Sequence, residues 1–71
     1  MKVLRENDSV VLTKSVKGAV IGESREVVLP IGTNATVVLV HGDPSQPEGY
    51  EIEAYISEQD CYVLATIEPA E

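Results

Sequence analysis

Apolar and polar residues alternate with a period of two over much of this chain. Tyr50–Ile56 (YEIEAYI) is the clearest stretch. Tyr50, Ile52, Ala54 and Ile56 fall on one side; Glu51, Glu53 and Tyr55 fall on the other. That pattern predicts a half-buried antiparallel strand with a wet, acidic face. Cys61–Ile67 (CYVLATI) predicts the returning strand, with Cys61, Val63, Ala65 and Ile67 on one face and Tyr62 on the same side as Tyr55. Ala35–His41 is the most apolar stretch. Unbroken alternation puts Val38 and Val40 on one face and Val37 and Leu39 on the other, so this strand is expected to be central or covered on both sides.

Turn chemistry bounds these stretches. Pro30-Ile31-Gly32-Thr33-Asn34 predicts a tight connection, in which Gly32 and Asn34 tolerate positive φ. His41–Gly49 holds two prolines and two glycines and reads as a loop; Ser57–Asp60 reads as a turn. Upstream, Met1–Asp8 is a polar lead-in and Val10–Val16 a first strand. Lys17–Glu26 is a long loop with room for a short hairpin at Gly22, and Glu26–Leu29 is a short strand stopped by Pro30. No helical period, repeat or low-complexity segment interrupts the series. Five short strands at this spacing predict one all-β domain over residues 1–71, a small five-stranded SH3-like barrel.

Size makes that core thin. A chain of 71 residues hides only about 60% of its unfolded surface. It has no Trp and no Phe, so Val, Ile, Leu and Ala must fill the interior. Barrel closure, or a second copy covering an apolar face, is the expected remedy, and a homodimer is the expected state. The single cysteine, Cys61, excludes an intramolecular disulfide. The opening MKVLRENDS holds no apolar leader core, and no apolar run reaches membrane-spanning length. A reducing, cytoplasmic setting without membrane contact is expected.

Charge narrows the partners. Twelve acidic residues against five basic ones give −7, which leaves no basic stripe for a phosphate backbone, so nucleic acid is not an expected partner.

Candidate chemistry is sparse. Glu51 and Glu53 lie roughly 6–7 Å apart along one strand face. Such a pair suits acid–base work or a hard cation, but nothing adjacent supplies a nucleophile or an apolar pocket. His41 and Asp43 offer two metal ligands, too few for a closed site unless a second subunit completes it. Cys61 sits beside Glu58 and Asp60, which oppose thiolate formation, and reads as a small core residue. Gly18, Gly22 and Gly32 fit no phosphate-binding pattern. Neither a cofactor nor a metal site is expected, and no catalytic constellation emerges. Tyr50, Tyr55 and Tyr62 remain as aromatic candidates for a surface.

Four segments recur in order: Asp8-Ser9-Val10-Val11-Leu12, Leu29 to Val38 (LPIGTNATVV), Tyr50-Glu51-Ile52-Glu53 and Ala65-Thr66-Ile67. Over Asp8–Ile67 the chain resembles a family of short bacterial proteins, frequent in cyanobacteria, known as a domain of unknown function. That family's pattern runs D-x-V-V-L, G-x-x-G-T-V-V, Y-E-V-E-F and V-T-L. The likeness extends more loosely to the barrel of nitrile hydratase β subunits and to KOW-type segments. It implies an SH3-like barrel and imports no activity. Three departures stand out. Ala35 replaces the family's second glycine and Ala54 its core Phe, leaving room for Tyr50 or Tyr55, and Lys17–Glu26 exceeds the usual loop.

The sequence therefore points to a non-enzymatic, self-associating protein-interaction module. The face carrying Glu51, Glu53, Tyr55 and Tyr62 is its expected protein-binding surface, suited to Arg or Lys. The alternative is an acidic, antitoxin-like inhibitor that blocks a basic partner.

Overall fold

A computed structural model describes residues 4–69 of the chain. Met1 to Val3 of the expected lead-in, and the last two residues of the tail, lie outside the described residues. Six strands form: β1 (Ser9–Val11), β2 (Val16–Val20), β3 (Glu26–Leu29), β4 (Asn34–Asp43), β5 (Gln46–Ile56) and β6 (Cys61–Ile67). There is no helix among the described residues. All neighbours pair antiparallel in the order β1-β4-β5-β6-β2-β3, and the sheet curls into a half-barrel. The all-β class and barrel-like curl are as expected; the strand count is six, not five.

The sixth strand comes from the long loop. Lys17–Glu26 is mostly β2 and the tip of a β2–β3 hairpin, with Gly22 at φ 83° in its turn. The segment carries few strand-forming side chains, so tertiary pairing with β6 decides its conformation. Gly18 marks that contact. A Cβ there would meet the Val63 side chain and lie 2.8 Å from the Leu64 carbonyl oxygen. Only glycine lets β2 and β6 approach this closely.

The expected strand Val10–Val16 is broken instead. Val10 and Val11 pair with β4, whereas Val16 opens β2 and pairs with Leu29 of β3, on the other side of β5 in the sheet. Leu12–Ser15 crosses between them, and the Leu12 side chain is buried. The Leu12 N–H donates to the Thr33 carbonyl (2.9 Å), and the Gly32 N–H donates to the Leu12 carbonyl (2.8 Å). Two crossing connections are thereby tied together across the open mouth of the half-barrel. Gly32 takes φ 91° in this turn, as expected; Asn34 instead begins β4 with negative φ.

The core comprises Leu12, Val20, Leu29, Ala35, Val37, Tyr50, Ile52, Ala54, Val63 and Ala65. The predicted inward rows of β5 and β6 supply five of these. Tyr50 is the largest fully buried side chain, so it is a core residue and not a surface aromatic. Its phenol oxygen accepts the Leu4 N–H at 3.2 Å, which satisfies the one polar atom that the ring carries inside.

β4 departs most from simple alternation. Val37 pairs with Ile52 and Leu39 with Glu51, leaving Val38 as the extra residue of a β-bulge. The bulge resets the facing. Val37 is fully buried and Val40 packs against the core, whereas Val38 and Leu39 are 39% and 44% exposed. β4 is therefore an interior strand, flanked by β1 and β5, but it is not covered on both faces, and Val38 is not a core residue. The expected loop His41–Gly49 is a hairpin extension. A second irregularity between His41 and Gly42, with Gly42 at φ 83°, carries the ladder down to Asp43 opposite Gln46. The Asp43 carboxylate accepts the Ser45 N–H at 2.9 Å and hydroxyl at 2.8 Å, which fixes the tip and holds the Asp43 carboxyl below its usual range.

This register makes a sharp prediction. Val37→Asp should abolish cooperative thermal unfolding, because an unpaired buried carboxylate costs more than the roughly 4–10 kcal/mol that holds a chain of this length. Val38→Asp should leave a folded protein, and Glu53→Gln should change stability by less than about 0.5 kcal/mol. Equal losses for Val37→Asp and Val38→Asp would refute the bulge. Separately, Gly18→Ala should destabilise by about 1–3 kcal/mol in chemical denaturation, the usual cost of overpacking.

Candidate functional site

The outward side of β5 and β6 is built by the alternation that buries Ile52, Ala54 and Val63. Glu51, Glu53 and Tyr55 leave β5 on that side, and Tyr62 and Leu64 leave β6 beside them. Tyr55 and Tyr62 are direct cross-strand partners. Their ring centroids lie 5.0 Å apart at an interplanar angle of 52°, and they are 49% and 52% exposed. Such a tilted pair contributes about 0.5–1 kcal/mol to the sheet.

The turn after β5 adds a carboxylate. Ser57–Asp60 ends with Asp60 at φ 50°, a left-handed conformation that Asp tolerates. From there the Asp60 carboxylate accepts a short hydrogen bond from the Tyr55 hydroxyl. This bond raises the Tyr55 phenol above its ordinary value. Partial loss of hydration and the neighbouring Tyr62 and Cys61 add smaller upward contributions.

Four sequence candidates thus separate into three and one. Glu53 and Tyr62 line an open depression of about 410 Å³ on this face, together with Ile21, Glu23, Asp60 and Cys61. Tyr55 stands at its side through Tyr62 and Asp60. Glu51 does not line it. Its carboxylate instead faces His41, with Nε2 to Oε1 at 3.4 Å. Ile21, Glu23 and Asp60 were not singled out by the sequence. The first two sit on the β2–β3 hairpin, which pairing with β6 brings beside Tyr62; the Ile21 N–H donates to the Tyr62 carbonyl at 2.9 Å. The signal was faint: a glycine-centred hairpin inside a stretch that otherwise reads as loop.

Other candidates have ordinary places. His41 faces Glu51 and Asp43 caps its own turn. Cys61 is half-buried at the start of β6. Among the described residues, no three His, Cys, Asp or Glu side chains converge to hold a metal ion. No described helix is long and apolar enough to cross a membrane.

No protein-family model, curated protein or solved structure matches the chain.

The Tyr55–Asp60 bond sets a pH expectation. The folded-state pKa is raised, so its stabilising effect is complete below the phenol's unfolded value and is lost as pH rises through the folded value. Asp60→Asn should move one tyrosine titration to lower pH in phenolate absorbance, and Tyr62→Phe should leave that high-pH step in place. An unchanged titration in Asp60→Asn would show that Asp60 does not hold the Tyr55 proton.

Proposed function

We propose that this protein is a non-enzymatic protein-interaction module that works in a reducing, cytoplasmic setting. It binds a cationic segment of a partner through the outward face of β5 and β6, and it associates with itself. One observation carries the reading: two tyrosines stand half-exposed in a tilted ring pair on the wet side of the sheet, flanked by Glu53 and Asp60. The core already has its own aromatic in Tyr50, so the outer pair is not needed to fill the barrel. Exposed aromatic area beside carboxylates suits Lys or Arg, which gain ion pairing and a cation–π contact together. The resemblance to the short bacterial barrel family is compatible with a binding role and supplies no partner.

Self-association draws on Val38 and Leu39, which are exposed on β4. The inhibitor reading differs only in consequence: the same face would occupy a basic partner's own binding surface. The net charge of −7 favours it by speeding encounter with such a partner.

Titration with a lysine-rich peptide tests the face. Wild type should bind with an affinity that falls steeply with added salt. Glu53→Lys and Tyr55→Ala should each weaken binding about tenfold, a loss of about 1.4 kcal/mol, with the fold intact by circular dichroism. Glu68→Lys, just past the end of β6, makes the same charge change and should have a much smaller effect. Equal losses for Glu53→Lys and Glu68→Lys would reduce the effect to net charge. Sedimentation of wild type should give the mass of two chains at high micromolar concentration; a one-chain mass would remove self-association from the proposal.

A further inference from the structure

The depression beside the tyrosine pair brings together parts that the expected binding face did not include. Three separate elements supply its carboxylates: Glu23 from the β2–β3 hairpin, Glu53 from β5 and Asp60 from the β5–β6 turn. Ile21, Cys61 and the Tyr62 ring supply apolar lining between them. We propose that this depression is a side-chain subsite for the guanidinium of an arginine on the partner, with Glu23, Glu53 and Asp60 accepting its N–H groups and Tyr62 offering a ring face. The subsite rests on the interaction-module reading and narrows its ligand.

Arginine fits better than lysine for two physical reasons. A planar guanidinium spreads five N–H donors in a fixed fork, which can reach acceptors approaching from several directions; an ammonium is a compact point charge. A guanidinium also stacks flat on a phenol ring while its edge is hydrogen-bonded. The chain itself places a guanidinium at this rim. Arg25 Nε lies 3.5 Å from Glu23 Oε1, and both side chains are about half exposed. This internal pair is long, exposed and made through Nε, so it is weak and exchangeable. Arg25 therefore acts as a tethered competitor for Glu23. Asp60 is held in place by the Tyr55 hydroxyl on one oxygen, Oδ1, which leaves its second oxygen for a ligand.

The probe is N-acetyl-arginine amide, titrated into the full chain and followed by backbone amide shifts. Shifts should concentrate at Ile21, Glu23, Glu53 and Tyr62. The uncharged isostere N-acetyl-citrulline amide should produce none of them, and N-acetyl-lysine amide should bind at least threefold more weakly. Glu23→Gln combined with Glu53→Gln should abolish the response; Glu51→Gln should keep it. Arg25→Gln should tighten binding about twofold or more, and Arg5→Gln, an equal change of net charge, should not. Equal shifts with the citrulline compound, shifts scattered over the surface, or Arg25→Gln no different from Arg5→Gln would each overturn the subsite. A chain that binds the lysine-rich peptide through Tyr55 and Glu53 yet ignores the arginine compound would lose the subsite and keep the module.

Discussion

Closure of the half-barrel depends on the tie between Leu12 and the Pro30–Thr33 turn. The sheet is open, with β1 and β3 at its edges, and nine small and medium side chains together with Tyr50 must keep water out. Leu12 drops into the core from the crossing segment while its backbone hydrogen-bonds to Gly32 and Thr33 on the other crossing segment. Each connection then satisfies polar groups that the other would leave facing the apolar mouth. Gly32 is indispensable to that arrangement, since its φ of 91° is strained for any side chain-bearing residue.

A core without Phe or Trp leans on Tyr50. The ring is the largest fully buried side chain among the described residues, and its hydroxyl would be a liability without a partner. The lead-in answers this: Leu4 donates its N–H to that oxygen, and Leu4 itself packs against the core. The lead-in is stitched to β4 by hydrogen bonds linking Asn7 and Asp8 to Val37. Inside and outside are thus divided along β5, where one row of residues is spent on stability. The opposite row is free of that duty, and it carries the carboxylates and Tyr55 on which binding is proposed.

Period-two alternation made β5 and β6 legible, because their inward rows run without interruption from Tyr50 to Ile56 and from Cys61 to Ile67. It also placed Tyr55 beside Tyr62 and Glu53 on the same side. The same rule failed on β4 because one inserted residue, Val38, exchanges the faces beyond it, and no local feature of TVVLV announces a bulge. Glycine and proline in His41–Gly49 read as loop, yet Gly42 in left-handed conformation and the Asp43 cap extend a hairpin through them. The β2–β3 hairpin was obscured for a related reason: it is held by pairing with a strand more than forty residues later, which local composition does not encode. With that hairpin went Glu23 and Ile21, and hence one side of the depression.

The division of β4 into inward and outward residues is the claim on which the assigned core and the exposed Val38–Leu39 patch both stand. Nuclear Overhauser contacts between side chains measure it directly. Val37 methyls should contact Ile52, and Val40 methyls should contact the Tyr50 ring, with none from Leu39 to that ring. Leu39 on the Tyr50 ring, with Val40 turned to solvent, would mean that no bulge exists at Val38 and would contradict the account.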